Sequence, residues 1–399
     1  MGAIQVSISA ITPGARHILY STDDTSNPGI RADLTEIENH LRQAENLLLD
    51  NHPLIELERN AALHIQALDQ TQGNTTSGSL GSEIAATIDG SIDDATLNTP
   101  RFRVTPDTTI QDVVAHYEGH NLTNYTELLQ TIDIAGADAE FQSGKSEVHQ
   151  IRLPDQRDVA VKCVRHQDRY KRLKRATREL ACWSFPRHSN ILPVLGFAVV
   201  KGKLAMVSPW MKNRHITDYI ENNPSVDRIE LCVQLIGAID YLHRNNMIHG
   251  DIKSPNVLIS DEGNVQVTDF GVSIKEHREI EFSVSVGMQG TYQWMAPEIF
   301  CGGDSTKEAD MYALGITLFE IITGGPPYGS SGWNPNLQGK ITSEGVRPSR
   351  SIQFNSDETG NALWELIGRC WVHEPRDRLT SSQAFEWINH IRWTPFYID

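Results

Sequence analysis

The sequence predicts an α+β protein: one large two-lobed domain from about residue 127 to the end, preceded by a helical N-terminal region and a flexible linker. Composition is the first reason. The 399 residues are 39% hydrophobic and 22% charged, ordinary globular usage, and their length allows two or three domains at ~150 residues each. Charge is the second. Residues 1–130 hold 18 Asp/Glu against 6 Lys/Arg, whereas residues 131–399 hold 33 against 29. Patterning is the third: strand-like and helix-like stretches joined by short connections fill the second part of the chain. A formal charge of −16 also excludes a general nucleic-acid binder, because phosphate contacts need a basic face.

In chain order, Asp33 can cap a helix over 33–50, with Glu36 at the capping-box position. Leu34, Ile37, Leu41, Ala44 and Leu48 form its single apolar stripe. Beyond His52-Pro53, the spacing of Leu54, Leu57, Ala61 and Leu68 suggests a second helix. Residues 1–70 therefore read as a helical region that packs on itself or on a partner. Residues 71–126 read as a flexible acidic linker, since the stretch 70–100 has few large apolar side chains to offset ordering entropy. Val6 stands where a myristoylation motif wants Ser or Thr, and no run approaches the ~18 apolar residues of a membrane span. Five cysteines without a C-x-x-C pair read as free thiols in a reducing compartment. The expected location is the cytoplasm.

The chemistry concentrates in Ile248-His249-Gly250-Asp251-Ile252-Lys253-Ser254-Pro255-Asn256-Val257-Leu258, which follows an apolar helix over Ile229–Leu242. Val257–Ser260 and Val265–Thr268 alternate like strands around the turn Asp261-Glu262-Gly263-Asn264. That hairpin would bring Asn256 beside Asp269, giving two oxygen ligands for a hard cation such as Mg²⁺. Asp251 is then free to accept a hydroxyl proton, and Lys253 can neutralise a phosphoryl oxygen. A base, a cation and two metal ligands converging is the equipment of phosphoryl transfer, which is mostly positioning and charge neutralisation.

With these residues the chain resembles the eukaryotic protein kinases, over roughly residues 130–395. Val159-Ala160-Val161-Lys162 is similar to the strand bearing the ATP-anchoring lysine, and Glu179 in the helix Arg169–Trp183 matches its glutamate partner. The run Trp294-Met295-Ala296-Pro297-Glu298 resembles the substrate-docking loop, Asp310 the buried anchor of the catalytic loop, and Arg378 the partner of Glu298. Met206–Met211 resembles the adenine-reading hinge, with Ser208 as gatekeeper and the backbone of Pro209 and Met211 as hydrogen-bonding groups. The resemblance implies a small β-rich lobe and a large helical lobe. It also implies ATP and Mg²⁺ as cofactors, with Val148, Ala160 and Leu258 around the nucleotide and Asn256 and Asp269 on the metal. Lys253 two residues after the base is the serine/threonine pattern, and the Trp-Met-Ala-Pro-Glu run is that of the tyrosine-kinase-like branch. Protein Ser/Thr hydroxyls are the implied substrates.

Two departures stand out. The expected G-x-G-x-x-G-x-V loop is matched only by Ser143-Gly144-Lys145-Ser146-Glu147-Val148, with serines at two glycine positions. Gly250 replaces the arginine that normally gathers an activation-loop phosphate. Ser273, Ser283, Ser285 and Thr291 are the candidate phosphorylation sites in that loop. The basic cluster Arg165, Arg169, Lys171, Arg172, Lys174, Arg175 and Arg178 reads as a solvated face, or else as a dock for the acidic N-terminal region. The alternative to an active kinase is a pseudokinase scaffold with a degenerate phosphate loop.

Overall fold

The computed structural model describes residues 102–132, 139–275, 292–329 and 335–393. The helices expected within 1–70 lie outside the described residues, as do Ser283, Ser285 and Thr291.

Among the described residues, two helices precede the first strand: α1 (Ile110–Gly119) and α2 (Thr126–Gln130). The small lobe is a five-stranded sheet of β1 (Phe141–Gln142), β2 (Ser146–Arg152), β3 (Asp158–Val164), β4 (Gly196–Val200) and β5 (Lys203–Pro209). Its order is β1-β2-β3-β5-β4, every pair antiparallel, with helix α3 (Arg169–Trp183) crossing over between β3 and β4. Helix α3 begins where Asp168 accepts from the Lys171 amide at 2.7 Å. One face of the sheet buries Val159, Val161, Cys163, Ala205 and Val207 with Leu129 of α2. Strand alternation puts Ala160 and Lys162 on the other face, with Val148 opposite Lys162 and Ser208 opposite Ala160.

The large lobe continues with α4 (Ile216–Asn222) and α5 (Arg228–Arg244), then short strands β6 (Met247–Ile248), β7 (Val257–Ile259), β8 (Val265–Val267) and β9 (Ile274–Lys275). Helices α6 (Pro297–Phe300), α7 (Lys307–Thr323), α8 (Pro335–Ser343), α9 (Glu358–Cys370) and α10 (Ser381–Trp393) complete it. Helix α7 is buried on every face from Asp310 to Ile322, the mark of a helix that runs through a core. Thr306 caps its start and Gly324, at φ +70°, ends it.

The linker expected over 71–126 is not one over its last part. The compact unit begins at Asn98, and residues 102–126 include α1, whose Val113 is fully buried and whose Thr109 and Asp112 close a capping box. Tertiary packing decides this: ten residues are too few to hold a helix in water alone.

A column of large side chains links the lobes. Trp183 at the end of α3 is 2% exposed and stacks on Phe270 at 6.4 Å, which in turn meets His249 at 5.2 Å. The Trp183 indole N–H also donates to the Leu192 carbonyl at 2.6 Å. Val194 is buried in the same core. Trp183→Ala removes both packing and a buried donor's bond. It is expected to cost about 3–5 kcal/mol, a fall in Tm on the order of 10 °C by thermal unfolding. A midpoint within one degree of wild type would mean that the indole does not bridge the lobes.

Candidate active site

The catalytic loop is fixed from below by one carboxylate. Asp310, buried near the start of α7, accepts from the backbone amides of His249 at 2.7 Å and Gly250 at 2.8 Å, and contacts His243 Nε2 at 3.0 Å. His249 contacts the Thr268 carbonyl through Nε2 at 3.1 Å and accepts from the Asp251 amide through Nδ1 at 3.2 Å. One ring thus ties the loop to the strand that leads to Asp269. Gly250 lies at φ +79°, a region strained for any residue with a Cβ, and an added Cβ would stand 3.3 Å from the Val272 carbonyl.

Asp251 is the carboxylate this loop presents. Its Oδ2 accepts from Lys253 Nζ at 2.6 Å and from Asn256 Nδ2 at 3.2 Å. Asn256 Nδ2 also donates to the Asp251 backbone carbonyl at 2.8 Å, so the amide's carbonyl oxygen is its remaining acceptor. The hairpin forms as expected: Val257 to Ile259 pair with Val267 to Val265, and the Thr268 amide donates to the Asn256 carbonyl at 3.0 Å. Asn256 and Asp269 therefore sit at the open end of one hairpin. Asp269 takes φ +69°, which turns its carboxylate away from the strand direction and toward Lys162.

Lys162 stands between two carboxylates, 2.5 Å from Glu179 and 2.9 Å from Asp269. Burial disfavours all three charges, yet the Asp269 and Glu179 carboxylates together hold the ammonium above its ordinary range. Burial is likewise outweighed at Asp269, where Lys162 first and then Lys253 hold the carboxyl well below the usual range. At Glu179 burial, helped by the like charge of Asp269, prevails over the attraction of Lys162 and pushes the pKa up. This is a charged grip, buried at Glu179 and open to solvent at Asp269, whose side chain is 36% exposed.

Around the site, Arg378 forks onto Glu298 with contacts of 2.6 and 2.7 Å, and its guanidinium also lies over the Tyr312 ring at 5.2 Å. Trp294 donates its indole N–H to Glu320 at 2.6 Å. Burial pushes that carboxyl up to about 7. The docking loop is therefore anchored by an ion pair to Arg378, ahead of α10, and by an indole bond to Glu320 of α7.

A family model for the protein kinase domain matches residues 143–390. This chain belongs to the protein kinase family. Among its relatives, the Arabidopsis thaliana serine/threonine-protein kinase STY17 is 28% identical over 241 residues, covering 59% of this chain and 40% of that one. The Arabidopsis serine/threonine/tyrosine-protein kinase HT1 is 30% identical over 234 residues, 56% of this chain and 57% of the other. A probable serine/threonine-protein kinase of Dictyostelium discoideum is 38% identical over 148 residues, 36% and 29% of the two chains. The chain thus spans less than two thirds of the length of these curated relatives. Their type agrees with the serine/threonine, tyrosine-kinase-like reading of Lys253 and the Trp294–Glu298 run.

The kinase site residues expected from sequence come together in most cases. Lys162, Glu179 and Asp269 are in contact; Asp251, Lys253 and Asn256 form one cluster. Val148 and Ala160 share the Lys162 face of the sheet. Leu258 bridges backbone to backbone with His215 just past the hinge, and Pro209 ends β5 ahead of Met211. One candidate is overturned. Ser273 is fully buried and donates to the His249 carbonyl at 2.8 Å, so it is a structural hydroxyl and not an accessible phosphorylation site. Arg178 also leaves the basic face assigned to it, reaching the Val272 and Ser273 carbonyls at 3.3 and 3.0 Å.

The kinase's phosphate loop differs most from the family pattern. With Val148 in the valine position, Phe141 stands at the first glycine, and it is a strand residue paired with Val148 and stacked on Trp210 at 6.0 Å. Glu140 beside it bonds Arg214 at 3.0 Å, joining β1 to the chain just past the hinge. Ser143 closes the turn: its hydroxyl oxygen accepts from the Lys145 amide at 3.2 Å and the Ser146 amide at 3.0 Å. The serine is therefore a competitor for these amides and not simply a bulkier glycine. Ser143→Ala releases both donors without loosening the backbone. ATP binding by titration calorimetry is expected to tighten about five-fold, since amide bonds to a charged acceptor exceed those to a neutral hydroxyl by ~1 kcal/mol or more. Weaker binding would show that the hydroxyl organises the loop for phosphate.

Proposed function

We propose that this chain is an active serine/threonine protein kinase that moves the γ-phosphoryl group of ATP to protein Ser and Thr hydroxyls in the cytoplasm. The observation that carries the reading is the Asp251 carboxylate, held by Lys253 and Asn256 beside the Lys162–Glu179–Asp269 grip. Each polar group needed for transfer is present and has a partner of the right charge. Nothing observed favours the scaffold alternative. Five free thiols, four of them buried, suit a reducing compartment.

Asp251 accepts the hydrogen bond of the incoming hydroxyl and takes its proton as the new oxygen–phosphorus bond forms. Lys253, already on Asp251, is placed to neutralise the transferring group, while the bond between the γ-phosphorus and the bridging oxygen breaks and the electrons leave on ADP. Lys162, oriented by Glu179, binds the phosphates of the nucleotide. Asn256 and Asp269 offer one amide and one carboxylate oxygen, a donor set that fits Mg²⁺, whose charge would offset that of the phosphates when bound.

The test is incubation of the full chain with Mg·ATP and a generic basic protein substrate, followed by phosphoamino-acid analysis. Phosphate is expected on Ser and Thr, and Asp251→Asn is expected to lower kcat by about 10²–10⁴-fold. An Asp251→Asn turnover equal to wild type, or phosphate on Tyr alone, would overturn the assignment.

A further inference from the structure

We propose that the segment before the first strand is a built-in brace for helix α3, and that Tyr117 is the positioning residue that keeps Glu179 in reach of Lys162. The proposal rests on the kinase reading only in what it says the brace is for. Tyr117, on α1, is buried, and its hydroxyl donates to the Thr177 carbonyl at 2.6 Å. Thr177 is itself fully buried and lies two residues before Glu179. A mid-helix carbonyl already faces the amide four residues on, so this added donor is a lateral tether and not a cap.

The tether belongs to a larger clasp. Tyr170 in the first turn of α3 donates to the Val104 carbonyl at 3.4 Å, so α3 is held at its start and at its middle by the same segment. The Tyr117 ring lies 5.9 Å from that of Phe197 on β4. The outer edge of β4 is taken as well: the Phe197 amide donates to the Thr123 carbonyl at 2.9 Å, the Tyr125 amide to the Phe197 carbonyl at 2.7 Å, and the Val199 amide to the Thr126 hydroxyl at 2.9 Å. Gly196 permits this approach, because a Cβ there would stand 2.1 Å from the Thr123 oxygen. One segment therefore fixes α3 relative to the sheet that carries Lys162.

That geometry matters because the 2.5 Å Lys162–Glu179 contact is set by where α3 sits. Arg178 ties α3 to the backbone after Phe270 as well, at the Val272 and Ser273 carbonyls. Coupling of this kind is reciprocal: loosening the brace frees α3, and closing the ion pair steadies the brace.

The test is a double-mutant cycle on the full chain, read by ATP titration calorimetry and by hydrogen exchange of the Arg178–Trp183 amides. Tyr117→Phe is expected to fold, to weaken ATP about five-fold, the equivalent of one hydrogen bond at about 1 kcal/mol, and to speed exchange in that stretch. In a Glu179→Gln background the same change is expected to alter ATP binding less than two-fold, because the pair it positions is gone. An equal penalty in both backgrounds would show a merely structural tyrosine and overturn the proposal. ATP affinity within two-fold of wild type with unchanged exchange would do the same. If Tyr117→Phe does not fold, Thr109→Ala, which removes the surface capping box of α1, carries the same expectations. A wild-type chain that binds ATP but phosphorylates nothing would sink the kinase reading and leave the brace to be judged by the cycle. The exchange arm decides the brace even without nucleotide.

Discussion

Lys162 is drawn by two carboxylates at once, and each comes from a different part of the fold. Glu179 arrives on α3, while Asp269 arrives on the hairpin that grows from the catalytic loop. Taking away Lys162 leaves two carboxylates without their counterpart, which costs more than a pair itself contributes. The rest of the small lobe can be understood as what this contact demands. Helix α3 must lie close to β3, so the column Trp183–Phe270–His249 fills the space behind it. Asp269 must turn out of its strand, which it does at φ +69°. Asp310 then holds from below the loop that presents Asp251.

Much of this was legible in the sequence because the chemistry is local in sequence. Asp251, Lys253, Asn256 and Asp269 lie within one loop and one hairpin, whose turn residues and alternation specify the pairing seen. The α3 bounds Arg169–Trp183 agree with the expected helix because Asp168 caps it and apolar residues recur along one side. What sequence could not give was tertiary override. Residues 102–126 carry only a short apolar pattern, and their helix exists because Val113 is buried and Tyr117 meets α3 and β4. Ser273 looks like any loop serine until the His249 carbonyl takes its hydrogen. Arg178 looks like one more cation on a basic face until the activation segment turns toward it. In each case the deciding partner is at least 24 residues away.

Glycine and serine trade places with the family pattern in two spots, and physics gives each a reason. At Gly250 the left-handed backbone tolerates the loss of a side chain, and with it goes the cation that would gather an activation-loop phosphate. The order of α3 must then come from elsewhere, and the N-terminal segment supplies contacts of that kind. At Ser143 the hydroxyl satisfies turn amides that a glycine loop would leave for phosphate, and in the proposed function that shifts nucleotide binding toward Lys162.

That dependence makes Lys162 the place to test the whole scheme. The measurement is calorimetric titration of Lys162→Met with ATP in the presence of Mg²⁺, on protein that still unfolds cooperatively. If the buried ammonium is the main grip on the phosphates, affinity falls by about 10–100-fold, the worth of one charge-assisted hydrogen bond. Affinity within two-fold of wild type would contradict it.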